Sequence, residues 1–328
     1  MPPDSLLAAV TRPDPPQGRI GKRQPEVAIL LSTYNGEDFV TDQLDSFLMQ
    51  THENWVLHWR DDGSTDNTVA RLAEFAAGPG MGRTQDHAGG GHLNLSMSFL
   101  TLLHQALGGP ARLFAFADQD DIWLPEKLAR GVAALSRVRP DGPALYCSAH
   151  ISVDDHLRPI GRSPVVRRPP GFPASLTQNV VQGCTMMLNR AAAELIASSR
   201  PPPGTWHDWW CYIVVTAAGG QVLVDPTPTL LYRQHSGNQV GNAGNLWQRG
   251  IAVIRRGRKP FVSVLRSHVQ ALSEQPFLLT DLSRRQLDIV AHGLHGGYQD
   301  RLAALRLPGF HRQTWAEDMI FRLWFVMG

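Results

Sequence analysis

Val27-Ala28-Ile29-Leu30-Leu31 runs directly into Ser32-Thr33-Tyr34-Asn35-Gly36. Five apolar residues in a row form a buried strand, and the polar run after them is loop chemistry. A helical pattern follows, with Phe39, Leu44, Phe47 and Leu48 on one side. Trp55-Val56-Leu57-His58-Trp59 is the next strand, it ends in Arg60-Asp61-Asp62-Gly63-Ser64, and another helix starts near Thr68. Strand, loop and helix, twice over, signal βαβ units and a mostly parallel, Rossmann-like α/β sheet flanked by helices. In such sheets ligands bind beyond the carboxyl ends of the strands, where both polar loops fall.

The rest of the chain extends this pattern. Gly78 to Gly91 reads as a long flexible loop and Ser96 to Leu107 as a helix. Leu113-Phe114-Ala115-Phe116 is a strand ending in Asp118-Gln119-Asp120-Asp121, and Pro125 suits the first turn of a helix through Leu128 and Val132. Ala144-Leu145-Tyr146-Cys147 is a further strand, and the sheet resumes around Gly183 to Leu188. Between them, Pro159 to Pro173 is basic and proline-rich and is expected to be a mobile loop near an acceptor. After Asp208 a buried helix and a buried strand are expected. Beyond Gly241, Trp247 to Val264 and Gln270 to Leu305 read as helices, with a break between Gly257 and Pro260. The expected organisation is a disordered leader over 1–25, an α/β domain over 26–241 and a helical C-terminal extension over 242–328.

Bulk properties exclude several classes. In 328 residues, 43% hydrophobic content supplies a sizeable core, and a net charge of +2 argues neither for nor against a nucleic-acid partner; none is expected. Cys147, Cys184 and Cys211 are odd in number and far apart, which argues for reduced thiols over a disulfide or zinc framework. The most continuously apolar stretch, between Asp208 and Asp225, is shorter than the ~20 residues a spanning helix needs. The start lacks a basic signal-peptide region. A soluble, cytoplasmic protein is expected.

Five clusters carry chemistry. Three carboxylates in the four residues Asp118 to Asp121 repel one another, and a divalent cation relieves that repulsion. Mg²⁺ or Mn²⁺ suits oxygen ligands and bridges to phosphate oxygens; the plain alternative is a solvated acidic turn. Asp61 or Asp62 can accept the N3–H of uracil or thymine, or form only an Asp-Gly turn. Thr33, Tyr34 and Asn35 offer a hydroxyl and an aromatic face to a nucleotide. Asp208, within Trp206-His207-Asp208-Trp209-Trp210, is an acid among aromatics, where desolvation favours a general base; it also suits the start of a buried helix. Trp209 can stack on a sugar. In Tyr232-Arg233-Gln234-His235, Arg233 can grip phosphate and His235 can ligate a metal, although a lone histidine is more often structural.

Taken in order, Ser32 to Gly36, Asp61 to Asp66, Asp118 to Trp123, Gln182-Gly183-Cys184-Thr185, His207 to Trp210 and Tyr232 to His235 resemble family 2 glycosyltransferases of the GT-A fold. The resemblance runs from about Val27 to Gly241. Asp118 to Trp123 together with His207 to Trp210 is similar to the bacterial rhamnosyltransferase branch, which uses dTDP-rhamnose to build surface polysaccharide. The resemblance implies a dTDP- or UDP-linked sugar donor, a glycan or lipid-linked acceptor, and an inverting displacement in which Asp208 removes the acceptor proton. It implies a metal held through Asp120 and His235, a base held by Asp61 or Asp62, and Asp118 at the ribose or the metal. Asp121, Trp209 and Arg233 would meet diphosphate or sugar. Many relatives carry Glu where His207 stands, which leaves Asp208 as the single acid there.

Two other classes compete. A nucleotidyltransferase would carry a basic, glycine-rich loop after the first strand, and Ser32 to Gly36 holds no Lys or Arg. A non-catalytic sugar-binding module would need neither the acidic cluster nor Asp208. Peripheral contact with an anionic membrane is a further expectation. Leu246, Trp247, Ile251, Val253 and Ile254 lie among Arg249, Arg255, Arg256, Arg258 and Lys259, a pattern suited to an interfacial helix or to a packed helix with solvated charges. Trp324-Phe325 would add a second contact.

Overall fold

A computed structural model describes residues 24–87, 91–235 and 258–328. The leader up to residue 23, residues 88–90 of the glycine-rich stretch and the segment 236–257 lie outside the described residues. The basic membrane-contact segment therefore falls outside the described side chains up to Lys259.

The apolar run becomes β1 (Val27–Thr33), buried along its whole length. It is central because β2 (Trp55–Asp61) pairs with it in parallel on one side and β4 (Leu113–Ala117) on the other. Helices α1 (Val40–Leu48), α2 (Thr68–Ala77) and α3 (Leu95–Ala106) make the crossovers. Asn94 caps α3 by accepting from Met97 N–H at 3.0 Å. The sequence reading leaves Gly78 to Gly91 as loop; within it Thr84–Asp86 forms β3, parallel to β2. Three polar residues carry no apolar alternation, so this edge strand gives no pattern to read.

Beyond β4 the pairing changes sense. The sheet order is β3-β2-β1-β4-β8-β6-β9-β5, with β7 on β6. β5 is Ile122–Trp123, β6 Ala144–Val153, β7 Pro159–Arg162, β8 Met186–Asn189 and β9 Gln221–Arg233. β8 lies antiparallel to both β4 and β6, and β5 antiparallel to β9. Four local expectations change. Pro125 precedes α4 (Lys127–Leu135) by two residues instead of opening it. Residues 159–162 of the supposed mobile excursion form β7. Gly183–Thr185 is a single 3₁₀ turn before β8. β9 is well buried only near Thr229–Leu231; its earlier part carries Pro226 and Pro228, which cannot donate to a neighbouring strand. Helix α5 (Arg190–Ala197) follows β8.

The chain divides into two compact units. The first takes residues up to Pro164, Gly183–Ala197 and Leu223–His235; it contains the sheet and a core of Ile29, Leu31, Phe47, Leu57, Trp123 and Tyr146. The second takes Val165–Gln182, Ser198–Val222 and the C-terminal residues. It holds α6 (His207–Ala217), α7 (Arg258–Ser273), α8 (Asp281–His295), α9 (Tyr298–Leu305) and α10 (Trp315–Met327). The break expected between Gly257 and Pro260 falls at the edge of the described residues: α7 begins at Arg258, with Pro260 in its first turn. Helices α8 and α9 approach closely at Gly293, where an added Cβ would stand 2.8 Å from the Ala304 Cβ. Phe310, Phe321 and Phe325 pack edge-on within this unit. Trp324-Phe325 thus does not form an outward-facing pair: Phe325 is buried and Trp324 packs on Phe261. The exposed apolar residues of α10 are Trp315, Met319, Leu323 and Met327, spaced four apart. No described helix is long and apolar enough to cross a membrane.

Candidate functional site

At the carboxyl end of β1 the chain turns sharply. Asn35 adopts φ +45°, its N–H donates to Ser64 Oγ, and its side-chain oxygen accepts from Thr65 N–H. Tyr34 is half exposed, and Gln119 clamps its backbone: Tyr34 N–H donates to Gln119 Oε1 at 2.8 Å and Gln119 Nε2 donates back to Tyr34 O at 3.0 Å. Gly36 permits that approach, since a Cβ there would lie 2.4 Å from the Gln119 side chain. Gln119 lies between two acids in the sequence, and nothing there but that position marks it out.

The carboxylates after β2 are heavily engaged. Asp61 accepts from Thr33 Oγ1, Gly63 N–H, Ser64 N–H and Ser64 Oγ. Asp62 is buried, pairs with the buried Arg60 guanidinium and accepts from Leu93 N–H. Both therefore build the turn, and Thr33, itself buried, has its hydroxyl on Asp61 instead of open to a ribose. Beside them is a pocket of about 260 Å³ lined by Trp59, Asp61, Gly63, Asp86, Gly91 and His92. The His92 ring stands 5.6 Å from that of Tyr34. Its position in a glycine-rich stretch concealed it from sequence reasoning.

The acidic loop is brought together with the end of β9. His235 Nε2 lies 2.8 Å from Asp120 Oδ2, and Phe39 stacks on the His235 ring at 4.4 Å. These two side chains are about one-sixth exposed, at 14% and 16%. Arg233 differs from expectation. It is buried, donates from Nε to Asp120 O and from Nη2 to Asp42 at 2.7 Å, and lies over Phe39. Its guanidinium braces the loop, so its fit to a phosphate grip is poor. Asp121 is likewise fully buried, with Oδ2 lacking a hydrogen-bond partner among the described residues. Burial first, then the Asp120 and Asp118 charges, push its carboxyl well above the usual range, outweighing the Cys184 thiol and Arg233 N–H. A diphosphate or sugar does not reach so buried a group.

Two donor sets could hold a cation. Asp118, Asp121 and Cys184 place ligand atoms within 4.8 Å of one another. A hard ion disfavours a thiol, and burial holds both Cys184 and Asp121 toward their neutral forms. Asp120 and His235, only partly buried, offer one oxygen and one imidazole nitrogen, and they fit Mg²⁺ or Mn²⁺ better.

In the second unit, Asp208 sits in the first turn of α6 and its Oδ1 accepts from Trp209 N–H at 2.6 Å. A carboxylate is stabilised there by the helix dipole. Trp209 is half buried; its indole N–H donates to Ser175 O at 2.7 Å, and the buried His268 ring meets it edge-on at 4.7 Å. Burial lowers His207 to about 3, so it is neutral near pH 7.

Known proteins give this geometry its context. Residues 28–195 match the profile of Glycosyl transferase family 2. The dTDP-rhamnosyl transferase RfbG of Shigella flexneri is 28% identical over 227 residues, 64% of this chain and 73% of that protein. The Escherichia coli glucosyltransferase WfgD, which acts on α-D-GlcNAc-diphosphoundecaprenol, is 32% identical over 111 residues, 33% of this chain and 40% of its own length. Among solved structures, Staphylococcus aureus TarS with UDP-GlcNAc superposes with a TM-score of 0.52 at 14% identity, covering 92% of this chain and 90% of that one, a likeness of fold. The sheet of nine strands is thus of the GT-A kind, and the profile match spans the β1 turn, the Asp61 turn and the acidic loop. The chain belongs to glycosyltransferase family 2.

Proposed function

We propose that this glycosyltransferase moves a sugar, rhamnose being the favoured one, from a dTDP- or UDP-linked donor to a hydroxyl of a glycan or lipid-linked acceptor, with inversion at C1, in bacterial surface polysaccharide synthesis. The observation that carries the reading is the Asp120–His235 pair beside the β1 turn and the adjacent pocket, all within one unit. RfbG supports dTDP-rhamnose, and WfgD supports a lipid-linked acceptor. The proposed donor domain is 26–241, with 242–328 as its extension. Tyr34 and His92 present aromatic faces beside a pocket sized for a base, and Asp118 would meet the ribose or the metal.

Asp120 and His235 would hold Mg²⁺ or Mn²⁺, which supplies positive charge for the departing diphosphate. Asp208 would accept the acceptor hydroxyl's proton as that oxygen bonds to C1, and Trp209 would stack on a sugar. We place the protein in the cytoplasm, in peripheral contact with an anionic leaflet; three buried free cysteines and the exposed apolar row on α10 support that placement.

The test is a melting screen of dTDP- and UDP-sugars with and without Mn²⁺, because a ligand that binds the native state raises the melting temperature. Stabilisation by a dTDP-sugar that requires the ion is expected. No response to any nucleotide-sugar, with a folded protein, overturns the proposal. Hydrolysis of labelled donor separates an enzyme from a sugar-binding module.

A further inference from the structure

A cavity of about 320 Å³ lies within the second unit, between residues 200–203 and one face of α7. That volume falls in the range of small-molecule sites. Its walls are tied together from behind. Arg200 N–H donates to Oε1 of the buried Gln275 at 2.6 Å, and Gln275 Nε2 donates back to Arg200 O at 2.8 Å. Pro201, Pro202 and Pro203 each have a fixed φ, so this wall loses little freedom when a ligand settles on it.

The lining has two kinds of chemistry. The proline rings offer C–H surfaces. Ser267, Gln270 and, just past the end of α7, Glu274 fall on one face at helical spacing and offer a hydroxyl, an amide and a carboxylate. Gln270 Nε2 donates to Glu274 Oε1 at 2.9 Å, which orients both planar groups. A pyranose has the same division: C–H faces, and a rim of hydroxyls that donate and accept. Arg200 and Glu274 bring one charge of each sign, which suits a neutral ring better than a diphosphate.

The cavity shares its walls with the surroundings of Asp208. Asp208 follows Pro203 by five residues, so the two are at most about 18 Å apart. His268, next to Ser267 on α7, is buried; its Nε2 lies 3.1 Å from Thr205 Oγ1 and its ring meets Trp209 edge-on at 4.7 Å. The two segments that form the cavity therefore also hold the aromatic ring beside Asp208.

We propose that this cavity binds an uncharged sugar unit of the acceptor glycan, a unit other than the one whose hydroxyl reacts. The proposal rests on the reading of Asp208 as the base on the acceptor side. It gives α7 a task in acceptor selection: the enzyme reads its glycan beyond the reacting end.

The experiment uses the full chain and saturation-transfer NMR, with the methyl glycosides of rhamnose, glucose and N-acetylglucosamine as probes at millimolar concentration. Ser267→Trp fills the cavity, and Gln270→Leu removes a hydrogen-bonding wall while keeping its bulk. Wild type is expected to bind at least one glycoside. Ser267→Trp is expected to lose that binding and Gln270→Leu to weaken it roughly fivefold, the scale of one neutral hydrogen bond. Both variants are expected to bind UDP and dTDP as wild type does. If Ser267→Trp does not fold, Gln270→Leu decides alone. Failure of wild type to bind any of the three glycosides overturns the proposal, as does unchanged binding by the folded variants. Inorganic phosphate bound in their place, and lost in Ser267→Trp, overturns it too and makes the cavity an anion site. Glycoside binding is read without turnover, whereas the role of Asp208 is read from turnover of Asp208→Asn, so failure of the cavity and failure of the base reading are told apart.

Discussion

His235 Nε2 meets the Asp120 carboxylate at 2.8 Å across 115 residues of sequence. One partner follows β4 and the other ends β9, so the pair exists only in the folded sheet. Asp120→Ala is expected to abolish sugar transfer and to remove the metal dependence of UDP or dTDP binding. Isothermal titration with and without Mn²⁺ measures this; full metal dependence in the variant excludes Asp120 as a ligand.

Asp208→Asn is expected to leave donor binding intact and to cut turnover by on the order of 10²–10⁴, the usual cost of a lost general base. Steady-state kinetics with a melting control measures it. Turnover near that of wild type would remove Asp208 from the mechanism.

Arg60→Met is expected to destabilise the fold by about 3–5 kcal/mol, because it leaves the buried Asp62 carboxylate without its cation. Urea denaturation measures the change. A loss under about 1 kcal/mol would show that Asp62 finds compensation elsewhere, for example from His92 at 3.0 Å.

Acid should unfold the protein in two windows. Burial lowers His207 to about 3 and His268 to about 4, from 6.5. Their unfolded forms take up protons first, so stability falls as pH drops from about 6.5 toward 4, by up to roughly 1.4 kcal/mol per unit for each ring. Burial raises Asp225, but Arg130, Thr227 and Tyr146 outweigh it and hold the carboxyl at about 2. That contribution is complete above the ordinary value of 3.8 and is lost as pH falls through about 2. Asp225→Asn should flatten only the lower window, with a cost on the order of 1 kcal/mol at neutral pH after solvent screening. Melting temperature against pH for both proteins tests it; an unchanged acid limb would refute the assignment.

Peripheral membrane binding should be reversible by salt. Each basic residue near an anionic surface contributes about 1 kcal/mol, and the contribution decays within a Debye length. Flotation with anionic vesicles at low salt, and none with neutral ones, is expected. Equal failure with both would leave a transferase free of the bilayer.

The parallel half of the sheet and the acidic loop were legible because buried strands write continuous apolar runs and carboxylates cluster for few reasons. The antiparallel half was less so. β5 has two residues, and β9 carries two prolines, so neither announces its pairing. Among the site residues, Asp120 and His235, both read from the sequence as metal ligands, lie side by side. Arg233 and Asp121 were assigned to ligand, and burial turns both inward. Sequence shows which residues carry charge but not which way they face. Lys127, an ordinary residue at the start of a helix, gave no sign that it would be buried, with its ammonium on Cys184 O and over the Trp123 ring.

The short β5–β9 pairing, Ile122 to Leu231 and Trp123 to Leu230, has a consequence for how the protein matures. The turns after β1 and β2 come from neighbouring segments and close small loops, which is fast. Joining β5 to β9 closes a loop of over a hundred residues, an entropic cost met only by contacts made late. A chain still emerging from the ribosome can shape the turns after β1 and β2 before residue 230 has been made. It has no Asp120–His235 pair until β5 and β9 have joined, so the proposed metal site would arrive in one late step.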